Sequence, residues 1–175
     1  MSKLKTIDLR LTPLSDPTVN RILAVCVNLK RLDLSFTHIL HPTPTLGKMP
    51  LEKLSLTSTR IGSTDLLTVV AHLPNLRSLS IGALGGVQGS SVVTPNFSDM
   101  TLTDITLRQL TDNLMLCKQL EHVSLVGSTR LGSASSGEDS AIADFLRRIG
   151  RRCIVRIKDD QNKLAMLNPN PPIET

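Results

Sequence analysis

The side chains most able to do chemistry are four histidines and three cysteines, and their spacing argues against catalysis. His38, His41, His72 and His122 fit no His-Glu-x-x-His or other ligand pattern, so they read as separate surface or loop residues. His122 alone sits at an outward strand position where a ligand could meet it. Cys26 and Cys117 fall on apolar stripes, where a thiol behaves as a small buried hydrophobe. A catalytic thiol needs a base beside it and an electropositive setting. Cys153 lies among arginines and so reads as more open, but nothing supplies its base. An odd cysteine count without a Cys-x-x-Cys pair indicates neither a disulfide framework nor a zinc finger, and points to a reducing compartment, cytoplasm or nucleus. Gly82-x-x-Gly85-Gly86-x-x-Gly89 follows a strand, yet it lacks the Gly-Lys-Ser/Thr ending of a phosphate loop and no helix opens directly after it. It reads as part of an insertion, 82–100, of the length that is usually functional or mobile. With no nucleophile–base pair and no carboxylate couple at interpretable spacing, the sequence predicts no enzyme, no metal and no cofactor.

What the chain offers instead is surface. Asp8, Arg10, Arg31, Asp33, Ser35, Lys53, Ser55, Ser80, His122 and Ser124 recur at alternate positions of short apolar motifs, the period-two pattern of side chains pointing away from a core. They are the candidate protein-binding residues. The net charge of +5 comes largely from a second group, Arg147, Arg148, Arg151, Arg152, Arg156 and Lys158. Four of these close an expected helix, where cations interact favourably with the macrodipole. The cluster is the alternative candidate, a patch for nucleic acid or an acidic surface. With three Phe and no Trp or Tyr, the chain has few aromatics for stacking nucleic-acid bases.

These positions depend on a motif that the chain states five times. Leu29-x-x-Leu32-x-Leu34-x-x-Thr37-x-Ile39 is matched by Leu51 to Ile61 and Leu4 to Leu14, and in shortened form by Leu76 to Ile81 and Leu120 to Ser128. The first leucines lie 25, 22, 25 and 44 residues apart, the last gap holding the insertion. Between motifs, apolar stripes at i, i+3, i+4 and i+7 predict outer helices: Val19, Ile22, Leu23 and Cys26; Leu66, Val69, Val70 and Leu73; Leu107, Leu110, Leu114 and Cys117; Ile142, Phe145, Leu146 and Ile149. Expected helix starts are Asp16-Pro17, Ser63 or Thr64, Thr103-Asp104 and Asp139. His41-Pro-Thr-Pro-Thr45 precludes a continuous helix, so the second motif should have an irregular outer side. Cys153 to Ile157 reads as a final short strand, and 159–175 as a flexible tail after a single domain, 1–158. Nothing before Leu4 covers the first strand, which predicts either a longer array of which this is the C-terminal part, or a covering partner.

A period in the twenties with this core resembles the leucine-rich repeat. Cys26-x-x-Leu29-x-x-Leu32-x-Leu34 and Cys117-x-x-Leu120-x-x-Val123-x-Leu125 narrow the resemblance to the cysteine-containing subclass found in F-box/LRR proteins, across roughly residues 4–158. Where that family carries Asn or Cys after the strand, this chain has Thr12, Thr37, Thr59 and Ser128, whose hydroxyls can bond loop backbone. Leu84 departs from the pattern, and no stretch resembles an F-box. The resemblance implies an α/β right-handed solenoid, with a parallel concave sheet, outer helices and about five to six repeats. It also implies a non-catalytic interaction module, the substrate-recognition portion of an F-box-type ubiquitin ligase, with ligase subunits among its partners. No apolar run approaches a membrane span, so no membrane partner is expected.

Overall fold

The computed structural model describes residues 3–41, 46–82, 102–126, 140–158 and 164–167. Each motif supplies one short strand: β1 (Thr6–Asp8), β2 (Arg31–Asp33), β3 (Lys53–Ser55), β4 (Ser78–Ser80) and β5 (His122–Ser124). β6 (Ile154–Lys158) and β7 (Leu164–Leu167) complete one seven-stranded sheet in sequence order, parallel from β1 to β6. Parallel neighbours need a crossover between them. α1 (Asp16–Ala24), α2 (Ser63–Ala71), α3 (Asp104–Met115) and α4 (Ala141–Arg148) supply four of these in an α/β arrangement.

The register is set by the middle residue of each strand. Ile7, Leu32, Leu54, Leu79, Val123 and Val155 pair in a single row, and all but the half-buried Ile7 are buried. A second inward row, Leu34, Leu56, Ile81 and Leu125, is buried with them, and the helix stripes close over the same core. Because side chains alternate, a slip of one residue would turn the leucines to solvent, so burial fixes the register. Truncating any one of these leucines to Ala would cost about 2–5 kcal/mol.

Four details differ from the sequence expectations. Ser15, not Asp16, is the N-cap of α1, and Gly62, not Ser63 or Thr64, that of α2. The Asp16 carboxylate is engaged elsewhere, accepting the backbone N–H groups of Leu40 and His41 at 2.9 and 3.0 Å and so tying α1 to the following motif. Thr103 caps α3 as expected, and Ser140, in place of the expected Asp139, caps α4; they accept from the N–H groups of Thr106 and Ala143 respectively. The supposed tail contains β7, which returns antiparallel along β6. Leu164-Ala-Met-Leu167 is a short apolar run, and a parallel sheet ending at β6 would leave a row of unpaired edge groups for it to satisfy. The rest of 159–175, the proline-rich 42–45, most of the 82–100 insertion and Ser128 lie outside the described residues. Leu46, directly after the prolines, is helical and fully buried.

A tight turn leaves each of the first three strands. Leu11, Phe36 and Ser58 take φ of 59°, 59° and 53°, and each is followed by a threonine. Non-glycine residues reach this region at a cost of about 1–2 kcal/mol, which something must offset. Here the Thr12, Thr37 and Thr59 hydroxyls donate to the carbonyls of Leu9, Leu34 and Leu56 at 2.6, 2.6 and 2.9 Å. The turn also aims the Leu11, Phe36 and Ser58 N–H groups at the Ser35, Thr57 and Gly82 carbonyls of the next copy. The threonines therefore brace their own loops, while backbone groups join one loop to the next.

Candidate binding face

The strand positions flanking the buried row form two rows on the side of the sheet opposite the helices. The first runs Thr6, Arg31, Lys53, Ser78, His122 and Ile154, and the second Asp8, Asp33, Ser55, Ser80, Ser124 and Arg156. Arg10, Ser35, Thr57, Gly82 and Val126 extend the face one residue pair further along the chain. All ten residues singled out for binding lie on this face, in register. Ile154 and Arg156 were missed as members. Their strand matches the others, but Arg152 stands where the motif has its first leucine, which hid the sixth copy.

The face is divided electrostatically. At its β1–β2 end Arg10, Asp8 and Asp33 satisfy one another, while Arg31 is exposed and makes no ion pair among the described residues. Arg10 donates to the Asp8 carboxylate from Nε at 3.0 Å and Nη2 at 2.7 Å, and lies 3.5 Å from Asp33. The Arg10 hydrogen bonds hold the Asp8 carboxyl below its usual range and push the Arg10 guanidinium up. Asp33 also accepts the Ser35 N–H at 2.9 Å. Ser35 and Ser55 are buried, so they form floor and not contact surface.

From β3 to β6 the face is cationic and sparsely paired. Lys53, His122 and Arg156 are exposed, and among the described residues Lys53 and Arg156 make no ion pair. They border an open depression of about 270 Å³ floored by Ser55, Ser78, Ser80 and Ser124. Charges just before the strands behave differently. Lys30 pairs with Glu52, and Arg77 with Glu121 at 2.7 Å, each pair bridging adjacent strands. The Lys30 hydrogen bond, with Arg77 and Arg31 nearby, lowers the Glu52 carboxyl.

The basic cluster does not form one patch. Arg147 and Arg148 both bind Asp144, and Arg148 reaches Asp112 on α3 at 2.8 Å. Arg152 donates to the Met115 and Cys117 carbonyls, closing the C-terminal end of α3. Arg151 is exposed, while Arg156 turns to the sheet face. Lys158 lies in β6, paired with Leu164. The arginines of the cluster are thus split because a helix end and a strand direct their side chains differently.

All three thiols are buried and free, Cys153 included, which corrects its reading as more open. Burial pushes the Cys117 thiol up and the Cys153 thiol up to about 11, so neither is a ready nucleophile at neutral pH. Cys117 Sγ lies 3.5 Å from the Leu73 carbonyl, tying the cysteine position to the residue in the same position of the preceding copy. His41 pairs with Asp65 at 2.7 Å and His72 with the Thr68 carbonyl at 2.7 Å, neither foreseen from sequence. Among the described residues, no group of three or more His, Cys, Asp or Glu could hold a metal ion, and no helix is long and apolar enough to cross a membrane. Compared with known proteins, the chain matches no family model, and no curated protein matches it.

Proposed function

We propose that the chain is a leucine-rich-repeat solenoid that binds a protein partner on its sheet face and catalyses nothing. One observation carries the proposal. Six parallel strands hold their outward residues in continuous rows that no described helix covers. Neighbouring charges outside the face pair with one another, whereas Lys53 and Arg156 on it are left for solvent or a partner. Extended solenoid surfaces of this kind are the usual binding surfaces of repeat proteins. The resemblance to F-box/LRR receptors extends the proposal to substrate recognition within a ubiquitin ligase.

The test is affinity capture of the chain from its source cells, beside a variant with Ser78→Arg and Ser80→Arg filling the face. The variant should retain its circular dichroism and lose the stoichiometric protein held by the natural chain. Equal retention by both would remove the face from the account. Ligase subunits in the natural chain's eluate, absent from a bead control, would support the narrower extension.

A further inference from the structure

The depression on the sheet face has a chemistry that narrows the partner. Its floor is small and hydroxylated, and its two flexible cations stand at opposite corners. Lys53 lies in the first outward row on β3, and Arg156 in the second row on β6. Strand spacing and rise place their backbones about 16 Å apart, three strands across and two residues along. The Ser78, Ser80 and Ser124 side chains between them are half-buried. No intramolecular hydrogen bond uses these hydroxyls among the described residues, so they can donate to a ligand. His122 and Ile154 complete the lining with one polar ring and one apolar contact.

With backbones this far apart, the two cations need not converge on one compact anion. They suit negative charge distributed along a chain. An extended peptide rises about 3.3 Å per residue, so it spans the gap in about five residues. We propose that this trough binds an extended acidic peptide segment of a protein partner, laid across β3 to β6. One carboxylate meets Lys53, a second about five residues away meets Arg156, and the serine hydroxyls donate to the backbone between them. The inference rests on the sheet face being the binding surface and adds the class of partner. Charge complementarity selects it. The only described carboxylates on this face, Asp8 and Asp33, stand at the far end around Arg10, leaving the β3–β6 half positive.

Fluorescence anisotropy with the full chain tests the proposal. The probes are short Gly/Ser peptides carrying two Glu about five residues apart, two adjacent Glu, two Gln, or a single phosphoserine, together with an unstructured RNA. The spaced acidic peptide should bind tightest. Lys53→Glu and Arg156→Glu should each weaken it about tenfold, since reversal replaces an exposed attraction with a repulsion. Arg21→Glu, on α1, should leave it unchanged. Tighter binding of the phosphopeptide or the RNA, equal binding of the Gln peptide, or indifference to Arg156→Glu would each overturn the inference. If the peptides fail while Ser78→Arg with Ser80→Arg still abolishes protein capture, the face remains a binding surface and only the acidic-segment proposal falls. If capture also survives, both fall.

Discussion

Gly82→Ala tests the way adjacent strands are joined. Gly82 has φ of +135°, and a Cβ there would lie 2.2 Å from the Val126 carbonyl oxygen. Its own carbonyl accepts the Ser58 N–H at 2.7 Å, while the neighbouring Ile81 N–H reaches Ser124 at 2.9 Å. The position is thus fixed by backbone on both sides and cannot move without loosening β4 from β3 or β5. The disfavoured φ costs about 1–3 kcal/mol, and the forced separation about 1–3 more. For a chain of this length each kcal/mol lowers Tm by about 2–4 °C, so the variant should melt about 4–24 °C below the natural protein. Gly62→Ala is the control. Gly62 has φ of −73°, and a Cβ there meets nothing within 4 Å. Its gain from restricting the unfolded chain and its loss as an N-cap nearly cancel, leaving a change within about 0.5 kcal/mol. Thermal melts followed by circular dichroism read both variants. A Gly82→Ala melt within about 2 °C of the Gly62→Ala melt would refute the argument that backbone closeness dictates glycine here.

Thr37→Val keeps the volume of a buried side chain but deprives the Leu34 carbonyl of its 2.6 Å donor, and should cost about 1–3 kcal/mol by urea unfolding. Thr37→Ser, which keeps the hydroxyl, should lose about 1 kcal/mol, and the reverse ranking would show that the methyl matters more. Cys117 and Cys153, with raised thiol pKa values and full burial, should resist iodoacetamide at pH 8 until the chain is unfolded; prompt labelling in native buffer would contradict their burial. Asp144, with its carboxyl held below the ordinary 3.8 by the Arg147 hydrogen bond, contributes stability that is present above that pH and lost as pH falls through the folded value. The stabilities of the natural chain and Asp144→Asn should therefore differ at neutral pH and converge in acid. A constant difference down to about pH 2 would break the linkage.

Much of this arrangement was legible in the chain. Leu32, Leu54, Leu79 and Val123 announced strand centres by alternation, and the stripe ending in Leu114 and Cys117 announced a helix by its period. Both patterns arise because a side chain's direction follows from backbone geometry within a few residues. The outward candidates were legible for the same reason, so all ten lie on one face. The sixth strand's membership was not, because Arg152 occupies a leucine position and reads as surface charge. Its aliphatic stem can pack while its guanidinium binds the Met115 and Cys117 carbonyls, which an apolar pattern does not report.

Sequence alone determined that leucines repeat and which side of each strand is apolar. Tertiary structure decided which polar groups cancel and which remain. Asp33 meets Arg10 across two strands. Arg148 meets Asp112 across two helices. Arg156 leaves its cluster to face the serines, and Leu164–Leu167 becomes a strand by finding an edge. Each depends on partners brought together by parallel register, at separations where sequence neighbours carry no information. The physical reason is range: backbone alternation is local, whereas hydrogen bonds and ion pairs are set by distances that exist only once the core has aligned the strands.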